Sequence, residues 1–240
     1  AELSESTVAA LSVQNLRQIL PPERIIVVVA PEDGEIRKAL GDDLTYVVQE
    51  EPLGTGNAVA EARGSISADT EQLLVTYADT PLLRPASLRG LLNRHNLKKA
   101  GFSLLTARMD QPLPYGRIER DSNGRIVAIV EPEDLTLKDA GIAEVNVGSY
   151  VAAPDVLFEK IDDLAGRGEH RLTEVARSFL DSDHGVVSYR IYDTDEVQGI
   201  NTAEGLEQAP DIVLKRLFVP KKDTDTTIKF GTGGWRAIIG

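Results

Sequence analysis

The 240-residue chain is 42% hydrophobic and 27% charged, which fits one large globular domain, or one domain and a fragment of a second. It has no cysteine, which excludes disulfides, thiolate metal sites and thiol nucleophiles. A formal net charge of −12 argues against a nucleic-acid surface, which needs a basic stripe, but not against a small anion held by local groups. The opening residues Ala1 to Glu5 carry no basic stretch of the kind that starts a signal peptide, and Ile25 to Ala30, the longest apolar run, is strand-sized. No membrane partner and a cytoplasmic location are therefore expected.

Strands alternate with helices along the chain. Ser4 to Leu20 has helical apolar spacing and ends at Pro21-Pro22. Arg24 to Val29 is a continuous β-branched run, the pattern of a strand buried on both faces. Pro31 to Leu40 predicts a short helix stopped by Gly41, and Thr45 to Gln49 a second strand. A helix follows over Asn57 to Arg63, then a strand over Leu73 to Tyr77 and a helix over Pro85 to Ala100 closed by Gly101. Phe102 to Arg108 is a fourth strand. Gly116 to Asp121 and Arg125 to Glu131, split by Ser122-Asn123-Gly124, read as a β-hairpin. Beyond it come a strand over Val145 to Ala152, helices over Asp155 to Leu164 and Leu172 to Leu180, a strand over Val186 to Tyr192 and a helix over Thr202 to Leu217. This order predicts an α/β fold, a mostly parallel sheet covered by helices with an inserted hairpin. Composition turns polar around Val219 to Asp225, as in a linker.

Four segments carry chemistry. Gln49 to Asn57 (QEEPLGTGN) joins a strand to a helix through two glycines that allow a ligand close to the backbone, and Gln49 can donate to and accept from a base edge. An ordinary glycine turn explains the pattern equally well. Thr76 to Leu82 (TYADTPL) places Asp79 just past the carboxyl end of a strand, where α/β sheets bind ligands and where a carboxylate suits Mg²⁺. The competing reading is a turn aspartate. Glu131 and Asn146, with Gly116 beside them, have the chemistry to bind sugar hydroxyls or an acetamido group, yet each alone fits a turn or surface position. Asn201, before a helix, fits an N-cap as well as a ligand.

Taken together, QEEPLGTGNAV, YADTPLL, YGRIERDSNGRIVAIVEPED, EVNVGSY and GINTAEGLE occur in an order that resembles the sugar-1-phosphate nucleotidyltransferases. The resemblance covers nearly all of Glu23 to Leu217 and is strongest to the uridylyltransferase domain of bacterial N-acetylglucosamine-1-phosphate uridylyltransferases. It implies a three-layer, Rossmann-like nucleotidyltransferase fold. It also implies that Gln49, Gly54 and Thr55 meet the nucleotide, with Tyr77 and Ala78 beside them, and that Ala78 replaces a usual glycine. Gly116, Glu131, Asn146 and, in the stretch Glu169 to Thr173, Thr173 fall at sugar-contacting positions, and Asp79 and Asn201 at those that hold Mg²⁺. The implied substrates are a nucleoside triphosphate, UTP by this match, and a sugar 1-phosphate, N-acetylglucosamine 1-phosphate by this match.

Two departures shape the expectations. The family's Gly-rich triphosphate loop has no counterpart, so residues 1–218 are expected to be an N-terminally incomplete nucleotidyltransferase domain. After a linker at 219–227, residues 228–240 (IKFGTGGWRAIIG) resemble the opening of phosphohexomutases, which implies covalent fusion to such a domain. A binding module without turnover, a nucleotidyltransferase for glucose or mannose 1-phosphate, and a glycosyltransferase stand as alternative readings. The last lacks an Asp-x-Asp motif at a strand end, since Asp193 and Asp195 lie in a polar turn.

Overall fold

The computed structural model describes residues 5–32, 34–109, 115–136, 139–164, 171–180, 182 and 185–197. Helix α1 (Glu5–Arg17) leads to strand β1 (Ile26–Val29), helix α2 (Gly34–Leu40), strand β2 (Thr45–Val48) and helix α3 (Thr55–Glu61). Strand β3 (Leu73–Thr76), helix α4 (Pro85–Lys98) and strand β4 (Phe102–Arg108) follow. The hairpin is β5 (Arg117–Arg120) and β6 (Ile126–Val130), succeeded by β7 (Glu144–Ala152), α5 (Pro154–Leu164), α6 (Leu172–Ser178) and β8 (Val186–Ile191).

Strands β1 and β2 form a parallel pair of their own. The other six form one sheet in the order β6-β5-β7-β4-β8, with β3 also paired to β7. Within it β3, β4, β5 and β8 run one way, because β7 is antiparallel to β3, β4 and β5 while β8 is parallel to β4. Strand direction is thus mostly shared, while most neighbouring pairs are antiparallel, because the reversed strand β7 lies among the others. Strand β1 is half-buried over most of its length rather than covered on both faces.

Side-chain alternation builds three layers. From β4 and β7, Phe102, Leu104, Tyr150 and Ala152 face a core shared with α3, α5 and α6. Their neighbours Leu105, Ala107, Val147 and Val151 face Leu88 and Leu91 of α4 on the opposite side. The rings of Phe102 and Phe179 lie 5.1 Å apart between their centroids, joining β4 to the end of α6. A third cluster, from Ala9, Val13, Ile25, Leu40 and Leu44, packs α1 and α2 on the β1–β2 pair.

Local boundaries follow local chemistry, with two exceptions. Gly41 adopts φ +91° just past α2, as a stop glycine should. Helix α4 is closed by Lys99 in the left-handed region, φ 49°, ahead of Gly101. Helix α3 begins at Thr55, two residues earlier than its apolar pattern predicts.

Candidate functional site

A 340 Å³ cavity opens where β7 changes neighbours. Over Ser149 to Ala152 that edge of β7 pairs with β3, and at Val145 it pairs with β5. Between these two contacts the carboxyl end of β3 and the start of β5 diverge. The segment Tyr77 to Asp79 leaves on one side and Gly116 enters on the other, with Asn146 to Gly148 beneath.

The geometry brings together seven of the sequence-predicted residues. Thr55, Tyr77 and Asp79 line one side of the cavity, and Gly116, Glu131, Asn146 and Thr173 the other. Gln49, Gly54 and Ala78 are not among its lining residues. Gln49 instead holds the approach loop, its Nε2 donating to Gly54 O at 3.1 Å and Asn57 Oδ1 at 2.6 Å. Gly54 has φ +99°, a conformation that favours glycine. Ala78 is exposed, and its carbonyl accepts from Ser12 Oγ of α1 at 2.7 Å. Asn15 Nδ2 donates to Pro81 O at 2.8 Å, so α1 braces both flanks of Asp79. Asn201 lies outside the described residues, as do Gln198, Gly199 and Ile200.

Residues with no strong local signal complete the walls. Tyr150 is 1% exposed, and its hydroxyl accepts from Asn146 Nδ2 at 2.8 Å. Asn146 Oδ1 accepts from Gly148 N at 3.2 Å, which fixes the amide plane. Tyr77 packs edge-on against the Tyr150 ring, centroids 6.2 Å apart, with its hydroxyl toward Tyr150 and Thr55, and Thr55 Oγ1 accepts from Leu172 N at 3.0 Å. A polar chain therefore runs from α6 through Thr55, Tyr77 and Tyr150 to Asn146. Burial raises both phenols above their ordinary range, Tyr150 well above, so they stay protonated at neutral pH. At the mouth, Arg171 pairs with Glu133. Gly148 and Tyr150 lie within EVNVGSY and Arg171 within the stretch Glu169 to Thr173, which is the signal that could have found them.

Tyr150→Phe removes one link of this chain and leaves a buried Asn146 donor without its partner. We expect a loss of about 1–2 kcal/mol in urea unfolding with no change in strand content by circular dichroism.

Three buried polar atoms facing this cavity have no hydrogen-bond partner among the described residues: Asp79 Oδ1, Glu131 Oε1 and Thr173 Oγ1. Folded proteins rarely leave such atoms unpaired, since each costs about 1–3 kcal/mol. Burial also pushes the Asp79 carboxyl above the usual carboxylate range. Their convergence on one cavity is the arrangement of a ligand site that is complete only with its ligand.

Gly116 sits at a close approach. A Cβ there would lie 3.3 Å from Val130 O and 3.8 Å from Glu131 Oε2, so the bare backbone lets the end of β6 bring Glu131 to the cavity.

Comparison with known proteins gives one consistent picture. Residues 4–212 match the family described as nucleotidyl transferase. The chain is 38% identical over 201 residues to the bifunctional protein GlmU of Streptococcus equi subsp. zooepidemicus, covering 82% of this chain and 44% of that protein. It is 36% identical over 199 residues to the bifunctional protein GlmU of Streptococcus mutans serotype c, covering 82% of this chain and 43% of that one. The chain thus spans less than half the length of either relative. A crystal structure of the 4-diphosphocytidyl-2C-methyl-D-erythritol synthase from Anaerococcus prevotii superposes with a TM-score of 0.63 at 13% identity, covering 87% of this chain and 89% of that one. That likeness establishes the shared fold.

Proposed function

Because the chain belongs to the nucleotidyl transferase family, we propose that it transfers a uridylyl group from UTP to N-acetylglucosamine 1-phosphate, giving a nucleotide-sugar and pyrophosphate. The observation that carries this reading is the convergence of the unpartnered atoms of Asp79, Glu131 and Thr173 on one cavity. In this reading Gln49, Gly54, Thr55, Tyr77 and Ala78 form the nucleotide side. Gly116, Glu131, Asn146 and Thr173 form the sugar side. The unpaired Glu131 oxygen accepts a sugar hydroxyl or acetamido N–H, and the Thr173 hydroxyl can donate or accept.

The donor chemistry at Asp79 fits Mg²⁺. Its Oδ1 is a hard oxygen without a partner, and no group of three or more His, Asp or Glu among the described residues could hold a metal unaided. A single carboxylate completed by ligand phosphates is a common Mg²⁺ arrangement. Asp79 and, by family resemblance, Asn201 would hold the ion, which when bound neutralises charge on phosphate oxygens.

A phosphate oxygen of the sugar 1-phosphate attacks the α-phosphorus of the triphosphate in line. One P–O bond forms, the bond to the β-phosphate bridging oxygen breaks, and pyrophosphate leaves with that electron pair. The nucleophile is already an anion, so no strong base is required and positioning dominates. The protein's part is to orient. The polar chain from Thr55 to Asn146 fixes the walls, and the braced loop holds Asp79.

Incubating the protein with each triphosphate, each sugar 1-phosphate and Mg²⁺ while measuring pyrophosphate tests the proposal. UTP with N-acetylglucosamine 1-phosphate should be the fastest pair. Preference for glucose or mannose 1-phosphate would overturn the sugar assignment. Glu131→Gln should raise KM for the sugar phosphate about tenfold, since one charge-assisted hydrogen bond carries about 1.4 kcal/mol of that discrimination. An unchanged KM would remove Glu131 from the sugar side.

A binding module without turnover is favoured by one observation. Among the described residues lining the cavity, Arg171 is the one cation against three carboxylates, Asp79, Glu131 and Glu133. Such a balance suits a sugar better than a free triphosphate. Binding of UDP-N-acetylglucosamine by calorimetry, with no pyrophosphate from any pair, would establish that reading. A cytoplasmic location, a domain division at 218, a linker at 219–227 and covalent fusion to a phosphohexomutase at 228–240 belong to the same proposal. Residues 198–240 lie outside the described residues. Among those described, no helix is long and apolar enough to cross a membrane.

A further inference from the structure

The outer edge of β8 lies at the far end of the sheet from β3. Among the described residues β8 pairs with β4 alone, so its second edge presents backbone donors and acceptors with no strand to meet them. An open groove of about 670 Å³ runs along this edge, distinct from the cavity between β3 and β5.

The groove is basic on both faces of the sheet. Tyr189 points toward α4, where its ring packs so closely on Gly90 that a Cβ there would lie 2.4 Å from Tyr189 Cζ. By strand alternation Ser188 and Arg190 point to the opposite face. Arg120 confirms this, donating from Nη2 to Ser188 Oγ at 2.6 Å. Arg94, exposed on α4, therefore lies on the Tyr189 side, while Arg190 and Arg120 lie on the other. Arg120 already pairs with Glu144 at 2.5 Å. Arg190 stacks on the ring of Tyr192, 5.0 Å from its centroid, and stays exposed. Two large apolar side chains, Leu97 at 78% and Tyr192 at 82% exposure, flank the groove. This concentration of arginine stands out on a chain of net charge −12.

We propose that the β8 edge is a docking site for an extended acidic segment of a partner protein, added as a further strand of the sheet. An added strand alternates its side chains between faces, so neighbouring acidic residues meet Arg94 on one side and Arg190 on the other, while Arg120 stays engaged with Glu144. A compact anion reaches the cations of one face only. A second copy of this chain on the same edge would set arginine against arginine, which disfavours self-pairing. Leu97 and Tyr192 supply apolar contacts for residues at the ends of the segment.

The test is fluorescence anisotropy of the full chain with a fluorescein-labelled octapeptide of alternating Glu-Glu and Val-Val pairs. Saturable binding is expected. Arg190→Glu and Arg94→Glu should each weaken it on the order of tenfold, with pyrophosphate release and thermal midpoint unchanged. The same peptide with Lys for Glu should recover binding to the double charge-reversed variant. A version N-methylated at alternate residues cannot pair its backbone and should fail to bind. Equal binding of the N-methylated peptide, or no saturation by the parent peptide, would overturn the proposal and leave the arginines as guards against edge-to-edge aggregation.

Discussion

Asp79→Ala should abolish pyrophosphate release at every Mg²⁺ concentration, a loss on the order of 10³-fold or more. The argument starts from position. Asp79 follows β3 by three residues, on a loop pinned from both sides by Ser12 and Asn15 of α1. Thr80 Oγ1 also donates to Tyr77 O at 2.9 Å, closing the turn. The carboxylate is held with its Oδ1 buried and without a partner among the described residues. A residue kept in that state costs stability unless a cation or donor arrives.

A stability effect of opposite sign should accompany the lost turnover. Burial raises the Asp79 carboxyl above its unfolded value. Its ionised form therefore destabilises the metal-free fold above the folded pKa, and the penalty is relieved as pH falls through that value. Asp79→Asn keeps the shape and removes the charge. In EDTA at pH 7 it should unfold a few degrees higher than the parent, corresponding to about 1 kcal/mol. The difference should close on acidification toward the carboxylate range. Addition of Mg²⁺ with nucleotide should raise the midpoint of the parent and leave Asp79→Asn unmoved. A variant that retains full turnover would end the metal assignment, whatever its stability.

Gly148→Ala should be the most damaging single methyl in the site. Gly148 sits in β7 at φ +82°, and an added Cβ would lie 2.6 Å from two carbons of the Tyr77 ring. The left-handed backbone costs about 1–2 kcal/mol for an L side chain, and the overpacking about 1–3 kcal/mol. Together these take about 2–5 kcal/mol from a domain whose whole stability is about 5–15 kcal/mol. A fall of about 5–15 °C in thermal midpoint is expected. Displacing Tyr77 also breaks its ring contact with Tyr150 and moves one wall of the cavity, so turnover in the surviving folded protein should drop as well. Gly124→Ala provides the comparison. Gly124 has φ +79° in the hairpin turn, but a Cβ there meets nothing within 4 Å. It should lose only the backbone portion, about 1–2 kcal/mol. Equal losses at the two positions would show that the Tyr77 contact contributes nothing.

Element identity was legible because it depends on local periodicity. Phe102 to Arg108 reads as a strand and is one, and the hairpin flanks Ser122-Asn123-Gly124 as its turn residues require. Motif order also carried the family, since QEEPLGTGN, YADTPLL and EVNVGSY appear in sequence whatever their placement in space. Legibility failed where a nearby residue competes. Gly101 is the better helix stop by propensity, yet Lys99 takes the left-handed position, and Phe102 is thereby delivered into the core at 0% exposure. Arg24 to Val29 reads as doubly buried, but a β-branched run does not reveal whether a neighbour covers its second face.

The sequence by itself determined which residues are strand and helix, which carboxylates and amides could meet a ligand, and which family the motifs fit. Only the tertiary structure decided that β7 runs antiparallel between β3 and β4, and that β3 and β5 share its other edge. That split sets Asp79 from β3 beside Gly116 from β5 and Asn146 from β7, residues far apart in the chain. It also decided that Tyr150, apparently an ordinary core aromatic, holds the Asn146 amide. Strand partners are chosen by the summed burial of whole faces and by chain crossings, so no local pattern of side chains encodes them.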